Sequence, residues 1–159
     1  MKIYRFILPL FLFFTLTSSL VLTGCGSDHD HGPTPVGIVL SAGGTDLAIQ
    51  EGTTITYPTG AADAIEIQTE ETVSPVTVTF LMEDGERFTP DVNDGYSLRF
   101  SASNSSVISV VHPLTNQWTF SLEGVQAGES AVNFQLWHVG HSDFESRDFT
   151  IRVVTPATQ

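Results

Sequence analysis

Hydrophobic and polar residues alternate along most of the chain beyond residue 35. Ile38 and Leu40, Ile65 and Ile67, and the run Val76-Thr77-Val78-Thr79-Phe80 follow a period of two. That period sends successive side chains to opposite faces of a strand. The same phase recurs at Tyr96/Leu98/Phe100, Trp118/Phe120/Leu122, Val132/Phe134/Leu136 and Phe149/Ile151/Val153. Turn-rich stretches separate the runs: residues 41–46 (SAGGTD), Glu51-Gly52, Pro58-Thr59-Gly60 and a long acidic connection at 83–95. Leu47 and Ile49 lead through Glu51-Gly52 into the β-rich residues 53–57, which predicts a hairpin. No segment has helical periodicity. The pattern predicts an all-β fold, an antiparallel β-sandwich of about nine short strands with an added N-terminal hairpin. Its principal strands are expected at 76–82, 96–102, 107–111, 118–122, 132–138 and 149–154. Alternation, as opposed to unbroken apolar runs, favours antiparallel sheets with one wet face.

The first 24 residues follow a different rule. Lys2 and Arg5 precede an apolar stretch from Ile7 to Leu22 that ends in the small residues Thr23-Gly24, the three parts of a secretory signal. An uncleaved membrane anchor is the competing reading, but the stretch is short for a span of about 20 residues and contains Pro9. Leu22-Thr23-Gly24-Cys25 resembles the lipobox of bacterial lipoproteins. The resemblance implies cleavage before Cys25, attachment of diacylglycerol to its sulfur and of a fatty acid such as palmitate to its new amino group. It also implies a lipid-anchored protein of the bacterial cell envelope, and Gly26 after the cysteine points to the outer membrane. More than one acyl chain is needed, because a single chain binds a membrane only marginally. Residues 25–35 then form the lipidated cysteine and a polar tether (GSDHDHGPTP), and residues 36–159 the sandwich domain. Cys25 is the sole cysteine, so no intramolecular disulfide can form.

Removal of such a leader sharpens the charge. All 18 acidic residues follow Cys25, whereas Lys2 and Arg5 leave, so 18 acids face four arginines and the formal charge moves from −12 to −14. A surface of this sign repels phosphate backbones, and no nucleic-acid partner is expected. Cations or basic partners are favoured, although an acidic surface also serves solubility alone.

A second resemblance covers residues 77–154. Residues 76–80, Ser103-Asn104-Ser105-Ser106-Val107-Ile108-Ser109-Val110, the stretch Gly124-Val125-Gln126-Ala127-Gly128-Glu129-Ser130-Ala131-Val132 and residues 149–154 resemble bacterial Ig-like domains of group 2. The resemblance implies an Ig-like sandwich in an adhesive or spacer role, with no active site to carry over.

Candidate chemistry narrows to histidines. There is no Gly-x-Ser-x-Gly, His-Glu-x-x-His or Walker-type glycine loop, and no enzyme is expected. Asp91-Val92-Asn93-Asp94-Gly95 resembles the start of a calcium loop, but its glycine comes one position early and Ala102 stands where the bidentate Glu belongs. It reads as a turn. His138-Val139-Gly140-His141-Ser142-Asp143 joins two imidazoles and a carboxylate around a glycine, donors that suit zinc or copper. Against this, His138 continues the Val132/Phe134/Leu136 face and can simply cap a core. If the strands alternate in direction, the connections at 83–95, 112–117 and 138–143 share one pole. His112 would then join His138, His141 and Asp143, and His29 and His31 in the tether could reach over them. Two functions follow: an envelope lipoprotein that binds zinc or copper through this pole, or an Ig-like module that binds an envelope protein or glycan without metal.

Overall fold

The computed structural model describes residue 32, residues 34–112 and residues 117–157. Cys25, His29, His31 and the expected leader lie outside them. Among the described residues the chain forms twelve strands and one 3-10 turn, and no helix is long and apolar enough to cross a membrane. The all-β sandwich is as the alternation predicts, built of two sheets.

Sheet one has seven strands. Its path runs β3 (Thr54–Thr56), β2 (Thr45–Glu51), β1 (Gly37–Ala42), β5 (Thr72–Leu81), β9 (Thr119–Gly124) and β8 (Ile108–Val111), with β6 (Arg87–Phe88) paired to β5. Sheet two has five strands in the path β11 (His141–Glu145), β10 (Gly128–His138), β12 (Phe149–Val154) and β4 (Ile65–Gln68). Its fifth strand, β7 (Tyr96–Ala102), pairs with β10 over the residues that also meet β11, so β7 and β11 take opposite edges of β10.

The sandwich closes on four fully buried phenylalanines, Phe80 and Phe120 from sheet one and Phe134 and Phe149 from sheet two. Phe120 meets Phe134 at 5.1 Å between ring centroids in a tilted pair, and Phe149 meets Phe134 edge-on at 6.0 Å, an arrangement that aromatic rings favour. Burial of each such side chain contributes roughly 1.5–3 kcal/mol. The N-terminal strand belongs to this core: β1 lies between β2 and β5, with Ile38, Val39 and Leu40 fully buried. The expected hairpin follows it as β2–β3. Buried Gln50 ties that hairpin to the connection between β11 and β12, since its Oε1 accepts from the Arg147 N–H at 2.7 Å, while its Nε2 donates to the Gly52 carbonyl at 2.9 Å.

Three details depart from the sequence pattern. β4 runs parallel to β12, a pairing that alternation cannot signal because it records which face is buried, not which neighbour is bonded. Residues 87–88 of the acidic connection form β6, whose Phe88 packs against Phe80. Residues 141–145, expected as loop, form β11.

Candidate metal centre

Two backbone devices build the site, both in the hairpin between β10 and β11. The first is a two-residue turn. His138 and His141 are a cross-strand pair, and Val139 and Gly140 between them have φ of +39° and +99°. Positive φ at both central residues is the twist that suits a tight hairpin, but it ordinarily recruits Asn, Asp or Gly. Val139 is β-branched and carries the strain that this region imposes on such residues. The second device is a bulge. Leu136 pairs with Phe144 and Trp137 with Ser142, which leaves Asp143 as an extra residue without a cross-strand partner. A bulge re-aims side chains. Phe144 turns inward, 5.8 Å from the Phe80 ring, while Asp143 faces the histidines.

The result is a row across three strands at the rim of the sandwich: Tyr96 on β7, His138 on β10 and His141 on β11. Asp143 bridges the two imidazoles. Its Oδ2 lies 3.2 Å from His138 Nδ1 and its Oδ1 lies 2.7 Å from His141 Nε2. One donor atom from each of these three residues falls within 4.8 Å of the others, close enough to surround one metal ion. The surroundings are graded: the His138 and Asp143 side chains are 11% and 15% exposed, and that of His141 is 51% exposed.

The hydrogen bonding of His138 fixes its tautomer. Its Nε2 is 3.1 Å from the carbonyl oxygen of Asp94. A carbonyl can only accept, so Nε2 carries the hydrogen and Nδ1 of the neutral ring is a lone pair. Nδ1 is buried and makes no hydrogen bond. The 3.2 Å approach of Asp143 Oδ2 is an ion-pair distance and not a hydrogen bond. In the neutral ring, a lone pair and the Asp143 carboxylate would face one another in an enclosed space. Such an arrangement costs about 1–3 kcal/mol for the unsatisfied group alone, and a cation held between the two relieves it.

Tyr96 closes the inner side. Its ring stacks on His138 at 4.2 Å, with planes 18° apart. Burial raises the phenol above its ordinary value and the nearby Asp143 charge adds to this, and the stacked ring walls the inner side of the site. Gly95, with φ of +88°, turns the chain so that the Asp94 carbonyl reaches His138. Alternation marks Tyr96 as a core position, but nothing in the sequence points to the Asp94 carbonyl.

The remaining candidates are placed elsewhere. His112 does not join the group: its Nε2 is 2.9 Å from the Gln117 carbonyl, and its ring meets Phe100 edge-on at 6.1 Å. Phe100 is four residues along β7 from Tyr96, roughly 13 Å at strand spacing. The acidic connection at 83–95, expected at the same pole, supplies no side chain to the grouped donors. Asp91 Oδ1 accepts from both nitrogens of Asn93 at 2.8 Å and caps the 3-10 turn Val92–Asp94, the local role that the sequence gives it. His29 and His31 lie outside the described residues.

No known family matches the chain, and no curated protein does. Among solved structures, domains 4 and 5 of the S-layer protein SbsC are similar at 14% identity and a TM-score of 0.41. The match covers 67% of this chain and 62% of that one.

Proposed function

We propose that this chain is a bacterial envelope lipoprotein, anchored through Cys25 in the outer membrane, that holds a zinc or copper ion between His138, His141 and Asp143. The observation that carries the metal reading is the buried Nδ1 of His138, which has no hydrogen bond and faces a carboxylate. Two imidazoles and a carboxylate are borderline donors suited to these ions. The net acidity of the chain favours accumulation of cations. A Cβ on Gly32 would lie 2.6 Å from the Tyr96 hydroxyl, so that glycine borders the site.

Metal content after purification without chelators tests the function. One equivalent of zinc or copper per chain is expected, and a metal-free protein that takes up neither ion would favour the adhesion module. Fractionation tests the anchor separately. Cys25→Ala should release the protein from membranes, and retention of that variant with an uncleaved leader would replace the lipobox reading with a signal anchor.

A further inference from the structure

The graded exposure of the three donors bears on what kind of metal site this is. His138 is fixed from three directions: its Nε2 by the Asp94 carbonyl, its face by Tyr96 and its position by pairing to both neighbouring strands. Asp143 is nearly as enclosed, whereas half of the His141 side chain meets solvent. Among the described residues no fourth His, Cys, Asp or Glu joins the group. Structural zinc sites are closed by four protein ligands, while sites with three leave a position for water or an incoming molecule.

Resting on the metal reading above, we propose that the centre is an open one, which binds its ion through three protein ligands and accepts an external nitrogen donor of the imidazole class at a position on the His141 side. The two imidazoles ligate through different atoms. His138 must use Nδ1, because Nε2 is committed to Asp94, and His141 presents Nε2 toward Asp143. His138 and Asp143 would hold the ion from the enclosed side, and solvent reaches the site past the half-exposed His141. An ion bound this way is exchangeable with a carrier that offers a histidine. The bond that forms is from the donor nitrogen to the metal, and the group displaced is water.

The experiment is titration of the purified protein, loaded with one equivalent of copper(II), with imidazole as the probe. The visible absorption band of the copper reports its ligands. A saturable shift at one imidazole per copper, with the copper retained, is expected. His141→Ala alters an exposed side chain and should accept two imidazoles in place of one. A band that does not move until copper is stripped would overturn the proposal, because the site would then be closed. If replacing both His29 and His31 by Ala opens such a closed site to imidazole, the tether supplies the fourth ligand and the proposal is likewise overturned. Absence of any copper band before imidazole is added would instead defeat the metal reading itself.

Discussion

Two hairpins of this protein share a backbone and differ in everything that backbone carries. The β1–β2 hairpin turns through Gly43 and Gly44, with φ of +57° and +80°, between the paired residues Ala42 and Thr45. The β10–β11 hairpin turns through Val139 and Gly140 between His138 and His141. Each then carries a bulge at the same place. Leu40 pairs with Ala48 and Ser41 with Asp46, leaving Leu47 as the extra residue, as Asp143 is in the other hairpin. Leu47 packs on the core. Asp143 faces two imidazoles. The turn and bulge are therefore a general way of folding a strand back over the rim, and only the side chains placed on it make one copy a candidate metal centre. Glycine in the first turn releases strain; Val139 in the second retains it beside the site, where strained residues tend to cluster.

The largest expected contrast is between the two bulged residues. Asp143→Ala should weaken zinc binding by more than the roughly 10–100-fold that follows loss of an outer-shell partner. Leu47→Ala should leave zinc binding unchanged and cost about 1–3 kcal/mol of stability, less than a fully buried leucine would. Calorimetric titration and denaturant unfolding of both variants read the two effects. Equal effects on zinc binding would erase the distinction between the hairpins.

The turns should differ next. Gly43→Val imposes on the first hairpin the strain of the second and should cost about 1–3 kcal/mol, although there is open space for the side chain. Val139→Asn supplies the residue that such a turn prefers and should gain about 1 kcal/mol. Thermal unfolding of the metal-free proteins measures both. A loss of stability in Val139→Asn would mean that packing of the Val139 side chain outweighs the strain.

The smallest difference is electrostatic. Asp46, next to the first turn, receives both guanidinium nitrogens of Arg87 at 2.9 and 2.7 Å. This hydrogen bond holds its carboxyl below the ordinary 3.8, with burial opposing it. The folded value is the depressed one, so the contribution is present above the unfolded value and fades as pH falls through the folded value, below 3.8. Both side chains are partly exposed, and the contribution should stay under about 1 kcal/mol. A pH series of melting temperatures for the wild type and Asp46→Asn should converge at the acid end. Curves that stay parallel down to pH 2 would remove the pair from the account.

Much of this was legible before the fold was known. The period of two in 132–138 puts His138 on the buried phase, and the same pattern places Tyr96 inward on β7. β11 was not legible, for a physical reason. His-Ser-Asp-Phe-Glu holds one apolar residue, and the bulge at Asp143 breaks the alternation that would have revealed a strand. Val139 also hid the turn, since the residue types that advertise positive φ are Asn, Asp and Gly. His112 was misplaced because sharing a pole is a weaker condition than sharing a cross-strand row. Its strand belongs to the other sheet, and its ring packs on Phe100, not Tyr96.

The central claim is that a metal ion occupies the space between His138 Nδ1 and Asp143, and nitrogen NMR of the histidine rings during zinc addition tests it most directly. One equivalent of zinc should shift Nδ1 of His138 and Nε2 of His141, while Nε2 of His138 keeps its hydrogen on the Asp94 carbonyl. An unshifted His138 Nδ1 in the presence of bound zinc, or no saturation at one equivalent, would contradict the account.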